Sequence, residues 1–162
     1  MHWEAVAAIG GVLGALGVIL TVVFLAVQVR RNTAATQSQT YQAACSALAE
    51  FGALLAQDPE LCRIWQTGLA NPDKLVGIEY FRFAFLGISL LRRYENAFYQ
   101  YHAGLIDDEF WDGYRNNLLW HFHRPGVQHW WQERRQTFSG AFCQYLESTT
   151  PRDVEGTGQR NL

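Results

Sequence analysis

Apolar residues fall first into one unbroken block and then into a series of periodic segments. From Ala5 the chain reads AVAAIGGVLGALGVILTVVFLAVQV, with no ionisable residue before Arg30 and only Thr21 and Gln28 as polar interruptions. As a helix this block is about 37 Å long against a hydrocarbon core of about 30 Å, so it spans a bilayer with some tilt. Residues 32–57 contain no Pro and no Gly before Gly52, so the helix is expected to continue as a stalk. Its residues Tyr41, Cys45, Leu48, Gly52 and Leu55, three or four apart, form the face it would bury.

Asp58-Pro59-Glu60 reads as an N-cap with proline at the first helical position, opening a short helix to about Gly68. Asn71-Pro72-Asp73 then marks a turn. The next helix is expected from Ile78 to Ala103, with Phe83, Leu86, Leu90, Tyr94, Ala97, Phe98 and Tyr101 on its core face. In the second half the opposite side is polar, with Arg92, Arg93, Glu95, Asn96, Tyr99 and Gln100. In the first half, Phe81, Phe85 and Ile88 occupy that outer side. Ile78 to Leu91 is too short to span a membrane, which leaves a core helix, an interfacial helix or a partner-binding surface. Asp107 caps a further helix to about Phe122, with Ile106 and Trp111 spaced as a hydrophobic staple. Pro125 opens a fifth helix, and a last short one starts at Ser139 and ends near Glu147.

The pattern therefore predicts an all-α chain: one N-terminal transmembrane helix continuing into a stalk, followed by a small helical bundle of about four to five helices. The divisions are a transmembrane anchor over residues 1–31, a cytoplasmic helical domain over 32–147 and a flexible tail over 148–162. A cleavable signal would have a positive start and a shorter apolar stretch, so the segment is read as a retained anchor. Arg30 and Arg31 directly follow the helix, whereas only His2 and Glu4 precede it. That bias puts the N-terminus outside, with Trp3 at the outer interface, and the domain on the cytoplasmic side of the inner membrane. Within the span Ala7, Gly11 and Ala15 lie four apart, as do Gly10 and Gly14, with Gly17 one turn on. Small residues so spaced allow a second membrane helix, from another subunit or another copy, to pack closely, the alternative being that glycine is simply common in membrane helices.

Composition changes this picture little. A net charge of -2 and a pI of 6.2 argue against a nucleic-acid partner. The three cysteines, Cys45, Cys62 and Cys143, are widely spaced and unpaired by motif, which suits a reducing compartment better than a disulfide framework.

Candidate chemistry is sparse. His121, His123 and His129 cluster around Pro125-Gly126, but no HxxxH or ExxH pattern accompanies them, so no metal site is assigned. Arg92, Glu95, Tyr99 and His102 form one helical stripe, readable as an anion- or proton-handling strip or as a salt-bridged face. Trp130-Trp131 beside Arg134-Arg135 reads mainly as buried aromatics next to solvated arginines, with base stacking or a membrane interface as the alternative. No GxSxG, phosphate loop or activated cysteine is present, and no cofactor is implied.

The runs WEAVAAIGGVLGALGVILTVVFLAVQVRRNTAA, DPELCRIWQTGL, RRYENAFYQYHAGLIDDEFWDGYRNN and PGVQHWWQERRQTFS resemble a widespread family of small, uncharacterised bacterial single-span membrane proteins, a domain of unknown function. The resemblance covers about residues 3 to 147. It implies a single span with a short helical domain, and no enzymatic activity or catalytic residues to carry over. The expectation is a non-enzymatic accessory or scaffold subunit of a bacterial membrane assembly. Its small-residue face would pack against other membrane subunits or itself, and Phe81 and Phe85 would offer a second contact. The alternative is a membrane-tethered sensor or regulator that binds a small ligand or ion near Glu95, His102 and Arg134.

Overall fold

The computed structural model describes the backbone of residues 2–149 and the side chains of residues 3, 11, 14 and 16–149. The described residues form six α-helices and no strand: α1 (His2–Gln57), α2 (Pro59–Ala70), α3 (Ile78–His102), α4 (Asp108–Phe122), α5 (Pro125–Arg134) and α6 (Gly140–Ser148). Short 3-10 turns occupy Pro72–Lys74 and Arg135–Thr137. The chain divides into two compact units, residues 1–39 and 40–162. Part of the expected tail, residues 150–162, lies outside the described residues.

In the first unit α1 exposes its apolar side chains, among them Leu20 at 70% and Phe24 at 67%. By length and composition it is the one helix among the described residues long and apolar enough to cross a membrane. Its Thr21 hydroxyl donates to the Gly17 carbonyl at 2.8 Å, so the polar group inside the apolar run is satisfied within the helix.

The second unit follows its local signals closely. Asp58 accepts from the Glu60 and Leu61 amides at 2.9 and 3.1 Å, Asp107 from Phe110 at 2.8 Å, and Ser139 from Phe142 at 3.4 Å. Each satisfies amides that a helix start leaves unpaired. Ile106 and Trp111, the expected staple, are both buried. Helix α3 ends because Gly104 adopts φ +71°, which lets Leu105 donate to Gln100 and Gly104 donate to Tyr101, both at 2.9 Å. That paired closure requires a left-handed residue, and glycine takes it without strain.

Helix α2 packs on α3 and α5, and α4 packs on the same two helices. Phe51 meets Trp65 edge to face at 5.4 Å, Trp65 lies 5.5 Å from Phe83, and Tyr94 meets Tyr114 at 5.2 Å. Trp131 and Phe138 close the other end at 5.2 Å. The expected core face of α3 is buried except for half-buried Tyr101, whose ring stacks on Trp111.

Two details of the periodic reading are corrected. The stalk buries Ala44 and Phe51, with Leu48 and Leu55 packed beside them, while Tyr41, Cys45 and Gly52 are exposed. The larger Phe51, anchored on Trp65, turns the face away from Gly52. Glu95, assigned to a solvated polar face, is only 6% exposed.

Candidate partner-docking groove

Helix α3 carries apolar residues on two sides, and the rest of the domain covers only one. Gly77, at φ +56°, turns the chain into α3. The side chains that follow stand in solvent, with Phe81 at 56% and Phe85 at 66% exposed, and Ile78 beside them. Together with Leu54 of α1 and Leu61 of α2 they line a groove of about 530 Å³. A core role for Phe81 and Phe85 is thereby overturned, while Ile88, the third residue of that side, packs half-buried against the core. The physical reason is that α2 and α4 both approach α3 on its Phe83 and Leu90 side.

Charge around the groove is arranged by Arg63, which donates to both oxygens of Glu60 at 2.8 and 3.0 Å and also to Glu79. The Arg63 hydrogen bonds hold the Glu60 carboxyl below its ordinary range, with a smaller contribution from Arg82. Arg82 lines the groove itself.

The polar stripe of α3 is split rather than gathered. Arg92 bridges Glu95 at 2.5 Å, donates to the Thr137 carbonyl and lies 4.9 Å over the Phe138 ring. The other Glu95 oxygen accepts from the Ser139 amide at 2.7 Å. One carboxylate oxygen thus fastens the start of α6 onto α3, and the other holds Arg92, which reaches the Thr137 carbonyl just before it. Tyr99 is exposed, and His102 uses Nδ1 on the Phe98 carbonyl at 2.8 Å with its ring 4.1 Å from Phe98. Glu95, His102 and Arg134 line none of the grooves described in this section.

The remaining candidates are also separated. His121 is half-buried, and its Nδ1 bonds the Asn117 carbonyl at 2.9 Å. Burial holds its imidazole below the ordinary value. His123 lies against Phe122, and His129 is exposed. No group of three or more metal-ligating side chains occurs among the described residues. Trp130 and Trp131 are buried, Trp131 donating to Glu147 at 3.0 Å and Arg135 pairing with the same carboxylate at 2.9 Å. Those indoles therefore offer no free face for bases or lipid.

In α1, a Cβ added at Gly11, Gly14 or Gly17 would meet no protein atom within 4 Å. The side-chain surroundings of Ala7, Gly10 and Ala15 lie outside the described residues.

A second groove, of about 690 Å³, lies between Tyr41 and Cys45 of α1 and Phe110 and Tyr114 of α4. Its local signals are the stalk periodicity that picks out Tyr41, Cys45 and Leu48 and the spacing of Phe110 and Tyr114, four apart on α4. The Cys45 thiol beside it raises the Tyr41 phenol above its ordinary value, and burial pushes Tyr114 up to about 12. Asp107, on its rim, is engaged in capping α4. A third depression, beside Arg135 and Cys143, has a buried thiol whose pKa burial raises, so that sulfur is a poor nucleophile.

Compared with family models, with curated proteins and with solved structures, the chain matches none.

Proposed function

We propose that this chain is a non-enzymatic accessory subunit of a bacterial membrane protein assembly. Its N-terminal helix anchors it in the inner membrane, and its helical domain, on the cytoplasmic side, grips a partner subunit through the Phe81–Phe85 groove. The observation that carries this reading is the exposure of those two phenyl rings on a helix whose opposite face already fills the core. Full burial of a phenylalanine is worth about 1.5–3 kcal/mol, so covering the more than half of each ring now in water contributes on the order of 2–4 kcal/mol. That is the energy of a binding hot spot, concentrated on one turn of helix. Arg92 and Glu95, the most promising polar pair, are engaged in joining α6 to α3, which favours a binding role over a reaction centre.

The arginine pair that follows the apolar run supports the orientation, and the small residues at Gly11, Gly14 and Gly17 supply a second contact in lipid. The test is gentle solubilisation of the tagged full-length chain from its native membrane, followed by sizing and identification of co-purifying subunits. Wild type is expected in a larger assembly, and Phe81→Asp or Phe85→Asp is expected to leave it without loss of thermal stability. A lone monomer for wild type, or variants that stay in the complex, would rule the reading out.

A further inference from the structure

Ile78, Phe81 and Phe85 are three and then four residues apart, so they extend about 10 Å along α3, roughly two turns of a helix laid against it. Arg82 follows Phe81 directly, lines the same groove and is exposed. Among the described residues it takes part in no ion pair or hydrogen bond of its own. Its field reaches Glu60, but both oxygens of that carboxylate are already held by Arg63, which also takes Glu79. The groove is therefore an apolar trough with one uncommitted guanidinium on its lining.

Those two features select an occupant. An apolar segment without a carboxylate would strip water from Arg82 and return nothing, which costs affinity. A second copy docking by a two-fold axis through the same patch would bring Arg82 towards its own symmetry mate, because Arg82 belongs to the lining of that patch. Among the described residues there is no strand edge to extend, so a peptide strand has nothing to pair with. A flat bilayer does not fill a trough walled by Leu54, Leu61 and α3.

Building on the docking role above, we propose that the groove receives a two-turn amphipathic helix of a different subunit. Its apolar residues lie three and four apart, and an aspartate or glutamate on its flank faces Arg82.

The test uses the full chain in phosphatidylcholine nanodiscs and two labelled synthetic helices of about four turns. Both carry leucines three and four apart, one flanked by glutamates and the other by lysines. Fluorescence anisotropy is expected to show the glutamate helix binding about fivefold tighter at low salt, with the gap closing as salt screens it. Arg82→Glu is expected to reverse the preference, and Phe85→Asp to abolish binding of both. Equal affinities, no binding of either helix, or an unaltered preference in Arg82→Glu overturns the proposal. So does quenching of a Phe81→Trp variant by brominated lipid, which would assign the patch to the bilayer. A dimer dissolved by Phe85→Asp would assign it to a second copy and overturn it equally. If the native partner is lost with Phe85→Asp but retained with Arg82→Glu, the docking role stands and the acidic helix falls. If both variants retain it, both fall.

Discussion

The crossing of α2 and α5 has almost no room, and this makes Gly126→Ala the sharpest test of the packing. A Cβ built at Gly126 would lie 1.6 Å from the Gly68 carbonyl oxygen and 2.8 Å from its carbon. Ordinary contact needs about 3.5 Å, so the two backbones would have to part by roughly 2 Å. Helix α2 has nowhere to retreat, because the space beside Gly68 is filled by the Phe83 ring, 2.2 Å from where its own Cβ would be. Overpacking of a filled core costs about 1–3 kcal/mol and sometimes more, and at the first turn of α5 the helix-propensity gain of alanine offsets under about 1 kcal/mol. A net loss of about 2–3 kcal/mol lowers the melting temperature by roughly 5–10 °C for a domain of this size. Scanning fluorimetry of the detergent-solubilised chain, read through the buried tryptophans, measures it. Gly113→Ala is the internal control, since that glycine lies mid-helix in α4 with nothing within 4 Å. It is expected to raise stability by up to about 1 kcal/mol. Equal melting of Gly126→Ala and the parent, or matching losses in both variants, would refute the close-crossing argument.

Three further outcomes are expected. Glu95→Ala removes the acceptor for the Ser139 amide and the partner of Arg92, so it should cost about 2 kcal/mol and speed hydrogen exchange at the start of α6; unchanged exchange there would disprove the latch. The folded state depresses the His121 pKa through burial, so the unfolded chain takes up the proton first as pH falls below the ordinary 6.5. Stability held above that pH is lost as pH drops towards the folded-state value. The melting temperature of His121→Gln should therefore fall less steeply over that window than that of the parent, and parallel slopes would count against it. A Cβ at Gly14 meets nothing within 4 Å, so Gly14→Leu should keep thermal stability while, under the proposed docking role, the assembly changes size on gel filtration. An unaltered size would remove the small-residue face as an association surface.

What was legible in the sequence was local. Asp58, Asp107 and Ser139 open helices where their side chains accept amides two or three residues on, and such signals need no knowledge of the rest of the fold. The element order and the main core face of α3 follow from the same short-range periodicity. The candidate sites were less readable because their environment is set by distant partners. Glu95 reads as solvated because its neighbours Arg92, Asn96 and Tyr99 are polar, yet Ser139, 44 residues away, covers it. Tyr41 and Cys45 fit the stalk's periodic face, but the aromatic anchor Trp65 selects Phe51 instead. Periodicity fixes the angle between two faces of a helix and leaves open which of them another element will cover.

Helix α3 shows why that open question concerns function as much as fold. Its inner face joins an aromatic system running from Phe51 through Trp65 to Phe83, and beyond it Tyr94 meets Tyr114, so the core is closed without Phe81 or Phe85. Truncating either exposed ring therefore opens no cavity, and Phe81→Ala or Phe85→Ala should change folding stability by less than about 0.5 kcal/mol. Truncating a buried neighbour such as Phe83, 1% exposed, should cost about 3–5 kcal/mol. Residues only two positions apart on one helix thus separate cleanly into a pair that the fold leaves in solvent and a set that the core requires. If Phe81→Ala and Phe85→Ala destabilised the isolated chain as much as Phe83→Ala, the outer face would belong to the core after all, and the docking role would lose its basis.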